Sequence, residues 1–444
     1  MNPICANSTQ PGGAICVIRV SGNDAISITN RLFRSKRNKD LTLMAGYTVH
    51  LGEIIDRDGT VVDDALVIIY CAPHSYTGEE STEIMCHGSA YIVQRIIELL
   101  IAAGCRLARP GEFTERAFMN GKMDLSQAEA VADLIAASNA ASHRLAMSQM
   151  RGGFSKELSR LRSQLLEMTT LLELEIDFSE EDVEFADRQQ LSDLAQTINT
   201  VITRLIDSFR TGNAIKNGVP VAIIGPTNVG KSTLLNRLLH EDKAIVSDIH
   251  GTTRDTIEDT INIQGITFRF IDTAGIRQSD DAIEQMGIER AWKKAQDAEI
   301  VLVVSDNEST TVDETLLEGK TVIRVYNKSD INHFDPSSLG EHAIAISAKQ
   351  GTNIDRLEQM LVDATHIRKV EDSDIIVTNV RHVEALRKAH EAITKVAQQI
   401  NEGISGDIIS LDLHACIDAL AEIVGDVTSE DTLHTIFSRF CVGK

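Results

Sequence analysis

The chain has 444 residues, with 43 Lys and Arg against 65 Asp and Glu and a formal net charge of −22 at pH 7. That balance argues against coating nucleic acid by bulk charge, which needs many Lys/Arg–phosphate contacts, and leaves open only a local patch or a partner. A hydrophobic content of 43% and a charged content of 24% exclude wholesale disorder and fit about three globular domains.

No apolar run reaches the roughly 18 residues of a membrane helix, and the first basic residue is Arg19, with no signal-peptide pattern before it. The seven cysteines, Cys5, Cys16, Cys71, Cys86, Cys105, Cys416 and Cys441, contain no C-x-x-C. The expectation is a soluble cytoplasmic protein with reduced thiols and no membrane association.

Along the first ~120 residues, period-2 runs predict strands over Ala14–Val20, Thr48–Ile55, Ala65–Cys71 and Thr82–Met85. Helices are predicted over Asp24–Phe33 and Tyr91–Ala103, and Arg109-Pro110-Gly111 reads as a turn closing an α+β unit. From Leu125 to Phe209 the pattern is helical. Leu158, Leu161, Leu165, Met168 and Leu172 form one 3-4-3-4 stripe and Leu191, Leu194, Ile198, Val201 and Leu205 another. The acidic stretch Glu173–Asp187 lies between them, with Asp187 a candidate cap for the second helix.

Short apolar strands alternating with helices follow from Val219 to Ile367, the mark of a parallel α/β sheet. Helical stepping then resumes through Val383, Leu386, His390, Ile393, Ala397 and Ile400, and through Ile409, Leu413, Cys416, Leu420 and Ile423. The fold class is therefore multidomain, α+β and α/β. The predicted division is 1–121, then a helical domain of residues 122–217 and 369–444 with 218–368 inserted; two separate helical domains are the alternative.

Gly225-Pro226-Thr227-Asn228-Val229-Gly230-Lys231-Ser232 fits G-x-x-x-x-G-K-[ST] and sits between the predicted strand Val219–Ile224 and the predicted helix Thr233–Leu239. Backbone N–H groups of such a loop wrap a phosphate at a helix N-terminus, Lys231 neutralises β/γ charge and Ser232 ligates Mg²⁺. Three more signals follow strands in the order required. Asp272-Thr273-Ala274-Gly275 ends Thr267–Ile271 and supplies Asp272 toward magnesium and the Gly275 N–H toward a γ-phosphate.

Asn327-Lys328-Ser329-Asp330 ends Thr321–Tyr326. A carboxylate at Asp330 can accept from guanine N1–H and N2–H₂, which adenine lacks. Ser347-Ala348-Lys349 follows Ala343–Ile346 and would offer a backbone N–H to guanine O6. Four such signals in order predict a P-loop guanine-nucleotide switch domain. Gly251-Thr252-Thr253-Arg254-Asp255 occupies the place of a switch loop, with Thr253 able to complete the Mg²⁺ shell.

Ras-like GTPases carry a water-orienting glutamine after the glycine equivalent to Gly275; here the residue is Ile276. Compensation must come from elsewhere. Asn228 offers a carbonyl oxygen suited to a monovalent cation, and Asp280, Asp281 and Glu284 lie on the next segment, although spacing alone reads these acids as a solvated loop. A basic cluster, Arg31, Arg34, Lys36, Arg37 and Lys39, reads more readily as a solvated loop than as a contact for nucleic-acid phosphates.

The Asn228 loop, Gly251–Asp255, Asp272–Gly275 followed by a hydrophobic residue, and Phe440-Cys441-Val442-Gly443-Lys444 together resemble the MnmE (TrmE) family of tRNA modification GTPases. Arg109 to Phe118, Ser75-Tyr76-Thr77-Gly78-Glu79 and Arg19-Val20-Ser21-Gly22 match as well, so the resemblance spans the chain. It implies an N-terminal folate-binding and dimerisation domain, a helical domain and an inserted Ras-like GTPase domain.

It also implies a homodimer that works with the flavoprotein MnmG to install a carboxymethylaminomethyl or aminomethyl group at C5 of the wobble uridine (position 34) of certain tRNAs. A 5-formyl- or methylene-tetrahydrofolate derivative would supply the one-carbon unit, and potassium-dependent GTP hydrolysis would drive opening and closing of paired GTPase domains.

By the same resemblance, GTP would contact Asn228, Val229, Gly230, Lys231, Ser232 and Thr233. Further contacts would come from Ser247, Asp248, Ile249, His250, Gly251, Thr252 and Thr253, from Asp272, Thr273, Ala274 and Gly275, and from the two base-reading segments. Magnesium would fall to Ser232 and Thr253, potassium to Asn228, Ser247, Ile249 and Thr252, and water orientation to Glu284. Folate would meet Arg19, Glu83, Lys122 and Lys444. Pro226-Thr227, Ser247 and Val442 depart from the family pattern without removing a required group, and Cys441 carries no assigned role. The alternative is a ribosome-assembly GTPase acting as a binding factor, since some of those share the asparagine loop and the hydrophobic residue after Gly275.

Overall fold

The computed structural model describes residues 1–9, 12–177, 188–241, 259–271, 296–307, 317, 319–335, 339–365 and 374–443. It divides into two compact units: residues 1–135, 149–195 and 391–444 in one, and residues 136–148 and 196–390 in the other.

The first unit is built on a seven-stranded sheet in the order β3-β4-β5-β6-β2-β1-β7. Its strands are β1 (Ile4–Asn7), β2 (Ile15–Ser21), β3 (Phe33–Ser35), β4 (Thr48–Ile55), β5 (Val61–Tyr70), β6 (Ser81–His87) and β7 (Arg106–Leu107). All pairs are antiparallel except β1 with β7. Because side chains alternate across a strand, one face gathers Cys16, Ile18, Val20, Ala65, Val67, Ile69, Ile84 and Cys86, all buried. Helices α1 (Ala25–Leu32) and α2 (Ala90–Ala102) contribute Ile28, Ile96 and Leu100 to the same core. The other face carries the Arg19–Glu83 pair, and near β1 it is covered by Phe113 of α3 (Glu112–Met119), which packs on Ile4 and Ala6.

The expected elements are present with shifted ends. The strand expected to begin at Ala65 begins at Val61, and the helix expected to run to Phe33 gives way there to β3. Helices α4 (Leu125–Ala136), α5 (Ala140–Met150) and α6 (Gly153–Asp177) follow, then α7 (Arg188–Asn217). All five stripe residues of α6, from Leu158 to Leu172, are buried. They pack on α11 (Gly406–Val424, after α8 to α10 below), whose Ile409, Leu413, Cys416, Leu420 and Ile423 are buried likewise. At roughly 2 kcal/mol per buried Leu or Ile, this seam is a main source of the unit's cohesion.

The α7 stripe is corrected by one step. Ala195 and Ile202 are the buried residues, while Leu194 and Val201 are half-buried. Candidate cap Asp187 lies outside the described residues.

The second unit holds a six-stranded sheet in the order β13-β12-β11-β8-β10-β9. It comprises β8 (Val219–Ile224), β9 (Asp259–Ile263), β10 (Ile266–Phe270), β11 (Ile300–Ser305), β12 (Thr321–Tyr326) and β13 (Ala343–Ala345), parallel except for β9. Every residue of β11 is buried, as expected of a strand covered on both faces. Helices α8 (Lys231–Glu241) and α9 (Ile354–Ala364) pack on one of those faces.

Helix α10 (Val380–Asn401) buries Val383, Leu386, Ile393 and Ile400 as expected, but Val396 in place of Ala397, and His390 sits half-buried with Nδ1 2.6 Å from Asn199 Oδ1. A last helix, α12 (Glu430–Phe437), leads into the terminal motif. No helix among the described residues is long and apolar enough to cross a membrane.

Candidate functional site

Strand β8 lies between β10 and β11, so the chain reverses its order of strands at the end of β8. Ligands of open α/β sheets bind at such a switch point. The phosphate-loop sequence occupies it. Gly225 has φ +147°, and a Cβ there would fall 2.0 Å from the Val304 carbonyl of β11; Gly230 has φ +97°, and a Cβ there would fall 2.3 Å from Asn327 Nδ2. Only glycine fits either place. Asn228, at φ +63°, takes the left-handed conformation that asparagine tolerates best among side-chain-bearing residues.

Helix α8 begins at Lys231, two residues earlier than expected, because the Gly230 carbonyl already accepts the Leu234 N–H at 2.9 Å. The N-terminus of α8, with its positive dipole end, therefore sits directly after the glycine loop, an arrangement that favours an anion. Lys231 Nζ donates to the carbonyls of Gly225 at 2.8 Å and Pro226 at 2.5 Å, and burial lowers its pKa. An ammonium held across the mouth of a nest of N–H groups is complementary to a polyphosphate.

Two further predicted segments converge on this loop. Asn327 Nδ2 donates to the Val229 carbonyl at 2.8 Å, and Asn327 Oδ1 accepts the Ala348 N–H at 3.0 Å. Both bonds are buried, so one amide ties the phosphate loop to the Ser347–Lys349 loop. Asp330 Oδ1 accepts from Ser347 Oγ at 2.7 Å, and the Ser329 N–H bonds the Ile346 carbonyl at 3.0 Å. Lys328, at φ +65°, places Nζ 2.8 Å from Asp306 Oδ2, and its ammonium lowers the Asp306 pKa.

Ser247, Asp248, Ile249, His250, Gly251, Thr252, Thr253, Asp272, Thr273, Ala274, Gly275, Ile276, Asp280, Asp281 and Glu284 lie outside the described residues. Of the expected magnesium and potassium ligands, Ser232 and Asn228 are therefore the two described. Both fit by position, Ser232 in the first turn of α8 and Asn228 within the loop.

A second cluster forms on the open face of the first sheet. Arg19 and Glu83 are direct partners across β2 and β6, joined at 2.7 and 3.0 Å from Nη2 and Nε to Oε1. Tyr70 Oη donates to Glu83 Oε2 at 3.2 Å, and burial, then the Glu83 charge, raises its pKa. The Arg19 guanidinium lies 5.4 Å from the Tyr76 ring centroid and 5.6 Å from that of Phe113, within cation–π range. Lys122 donates from Nζ to the Pro73 carbonyl at 3.1 Å, at the foot of the loop that carries Tyr76. Lys444 is outside the described residues, but its neighbours reach the same sheet: Val442 bridges to Pro110, and the Gly443 carbonyl accepts from Ser8 Oγ at 3.1 Å.

Beneath the Tyr76 loop runs a buried ionic chain. Arg116 Nη1 donates to Glu79 Oε2 and Arg116 Nη2 to Glu112 Oε1, each at 3.0 Å, and Arg106 Nη1 bonds Glu112 Oε2 at 2.7 Å. Burial alone would raise the Glu112 pKa. Arg106, the Arg109 N–H and Arg116 together bring it down to about 2. Glu79 also accepts from Ser21 Oγ at 3.0 Å, which fixes the loop against β2. The basic cluster expected as a solvated loop instead begins on regular elements, Arg31 in the last turn of α1 and Arg34 in β3; at the surface Arg34 pairs with Glu53 and Lys36 with Asp64. Tyr70, Phe113 and Arg237 (below) carried no separate expectation. Their partners are distant in the chain, and local pattern gives no sign of them.

Comparison with known proteins bears on the whole chain. The family description "MnmE helical domain" matches residues 125–441 and "GTP-binding protein TrmE N-terminus" matches residues 3–122. A tRNA modification GTPase MnmE from Bacteroides thetaiotaomicron is 57% identical over 461 residues, covering 99% of both chains. Its counterpart from Parabacteroides distasonis is 55% identical over 463 residues, covering 100% of both. Among solved structures, the G domain of the T. maritima FeoB iron transporter aligns with 33% of this chain and 98% of its own at 25% identity, with a TM-score of 0.24 that carries no weight. With both family descriptions meeting end to end and relatives this similar over their full length, the chain belongs to the MnmE/TrmE family.

Proposed function

We propose that the chain binds GTP at the end of β8, hydrolyses it, and couples the hydrolysis to tRNA modification. The observation that carries this reading is Asn327, whose two buried hydrogen bonds join the phosphate loop to the Ser347–Lys349 loop; that tie supports a purine site held at a fixed distance from the phosphates. The relatives named as tRNA modification GTPases support the rest.

The finer roles are part of the same proposal. Lys231 and the first-turn N–H groups of α8 bind and orient the phosphates, and Asp330 selects guanine. Ser232 with Thr253 holds Mg²⁺, and Asn228 with Ser247, Ile249 and Thr252 holds K⁺; bound there, the two cations supply counter-charge for the phosphates, as an arginine finger does in other GTPases. Glu284 orients the attacking water in place of the missing glutamine. Arg19, Glu83, Lys122 and Lys444 receive a 5-formyl- or methylene-tetrahydrofolate derivative, whose glutamyl carboxylates suit the cations. A homodimer acts with the flavoprotein MnmG on the wobble uridine of certain tRNAs, in the cytoplasm.

The test is mass analysis of wobble uridines in tRNA from cells with the intact chain, without it, and with Asp330→Asn. Loss of the C5 group in both altered strains is expected. Unchanged wobble uridines in cells lacking the chain, together with its co-sedimentation with ribosomal subunits, would overturn this reading in favour of a ribosome-assembly factor.

A further inference from the structure

Helix α8 carries a residue that the phosphate site does not use. Arg237 reaches from its middle to the base-reading loop, donating from Nε to the Ala348 carbonyl at 3.3 Å and from Nη2 to the Lys349 carbonyl at 3.0 Å. A guanidinium fork engaging two consecutive carbonyls holds both peptide planes at once. In a trans peptide the C=O and the following N–H point in opposite directions. Fixing the Ala348 carbonyl on the side of α8 therefore aims the Lys349 N–H to the other side.

The neighbouring amides are already engaged. The Ala348 N–H donates to Asn327 Oδ1 at 3.0 Å, the Gln350 N–H to Ser347 Oγ at 3.2 Å and the Gly351 N–H to the Ser347 carbonyl at 2.8 Å. Of the four amides from residue 348 to 351, that of Lys349 has no acceptor among the described residues. The loop thus presents one aimed donor, held by Arg237.

We propose that Arg237 is a positioning residue for base selection, holding the Lys349 N–H so that it donates to the 6-oxo oxygen of a purine nucleotide. The proposal rests on the guanine-nucleotide reading above and sharpens it into two separate readers. Asp330 reads the 1-NH and 2-amino edge, whereas the Lys349 amide reads position 6, where adenine has an amino donor and cannot accept.

The test measures equilibrium binding of GDP, IDP and ADP to the full chain and to Arg237→Met, which keeps a long apolar stem and loses the donors. GDP and IDP share the 6-oxo group, so both should weaken by the same factor, about 3- to 10-fold for one hydrogen bond. ADP binding should be unchanged. Equal weakening of all three nucleotides would mark Arg237 as merely structural and overturn the proposal, as would no change in any. Should Arg237→Met fail to fold, Arg237→Lys serves instead, with one donor nitrogen in place of the two-nitrogen fork and a smaller loss of the same pattern.

Asp330→Asn separates the two levels of inference, since its amide can donate to the 2-oxo group of xanthine. If this variant does not shift preference from GDP toward XDP, the guanine reading itself falls, and the role of Arg237 with it. If it does shift while Arg237→Met leaves the GDP-to-ADP ratio unaltered, the role of Arg237 alone falls.

Discussion

Asn327→Ala removes the one side chain that bonds both the phosphate loop and the base loop. Two buried hydrogen bonds, to the Val229 carbonyl at 2.8 Å and from the Ala348 N–H at 3.0 Å, disappear together. Each is worth about 1 kcal/mol net, and each leaves behind a backbone group whose desolvation costs about 1–3 kcal/mol where water cannot follow. A total of about 2–4 kcal/mol results, shared between stability of the second unit and affinity for nucleotide. If half falls on binding, the Kd for GDP rises roughly 5- to 30-fold. Calorimetric titration with GDP and a thermal unfolding scan read the two shares. Asn327→Asp is the sharper companion: it keeps an acceptor for the Ala348 N–H but sets a carboxylate against the Val229 carbonyl, and should bind GDP no better than the alanine variant. A GDP affinity within twofold of the parent, with an unchanged melting temperature, would refute the reasoning.

Other expectations concern the first unit and the chemical step. The Glu112 carboxyl is held at about 2 against an ordinary 4.5. Its ionic chain thus stabilises fully above pH 4.5 and loses that contribution as pH falls toward 2, by about 3 kcal/mol at most. Acid unfolding of Glu112→Gln should be flatter across that window and start from lower stability at neutral pH; a parallel curve would contradict the assignment. Arg19→Ala should weaken binding of 5-formyltetrahydrofolate at least tenfold while leaving GDP affinity unchanged, as measured by parallel titrations. Glu284→Ala should leave GTP affinity within about threefold and lower kcat at least tenfold, a split that loss of binding would contradict.

In the second unit, β8 reads as a nearly continuous apolar run and β12 as a short apolar run broken by the exposed Arg324, and both fall on their expected residues, whereas the fully buried β11 carried no expectation of its own. The motifs stood at the ends of those strands, so their convergence followed from the topology. Strands β1, β3 and β7 were missed because four, three and two residues are too few to show a period. The α7 stripe slipped for a different reason. Ranking by side-chain size chose Leu194, whereas the buried face takes the small Ala195, with Ile202 buried seven residues on. Arg237 and its carbonyl partners are more than a hundred residues apart in the chain, and no local pattern links them.

GTP hydrolysis by the purified chain, timed in potassium chloride and in sodium chloride at equal ionic strength with ATP as the control nucleotide, tests the central claim most directly. The account predicts turnover of GTP but not ATP, and turnover that is faster in potassium. Equal rates in the two salts, or equal use of the two nucleotides, would contradict it.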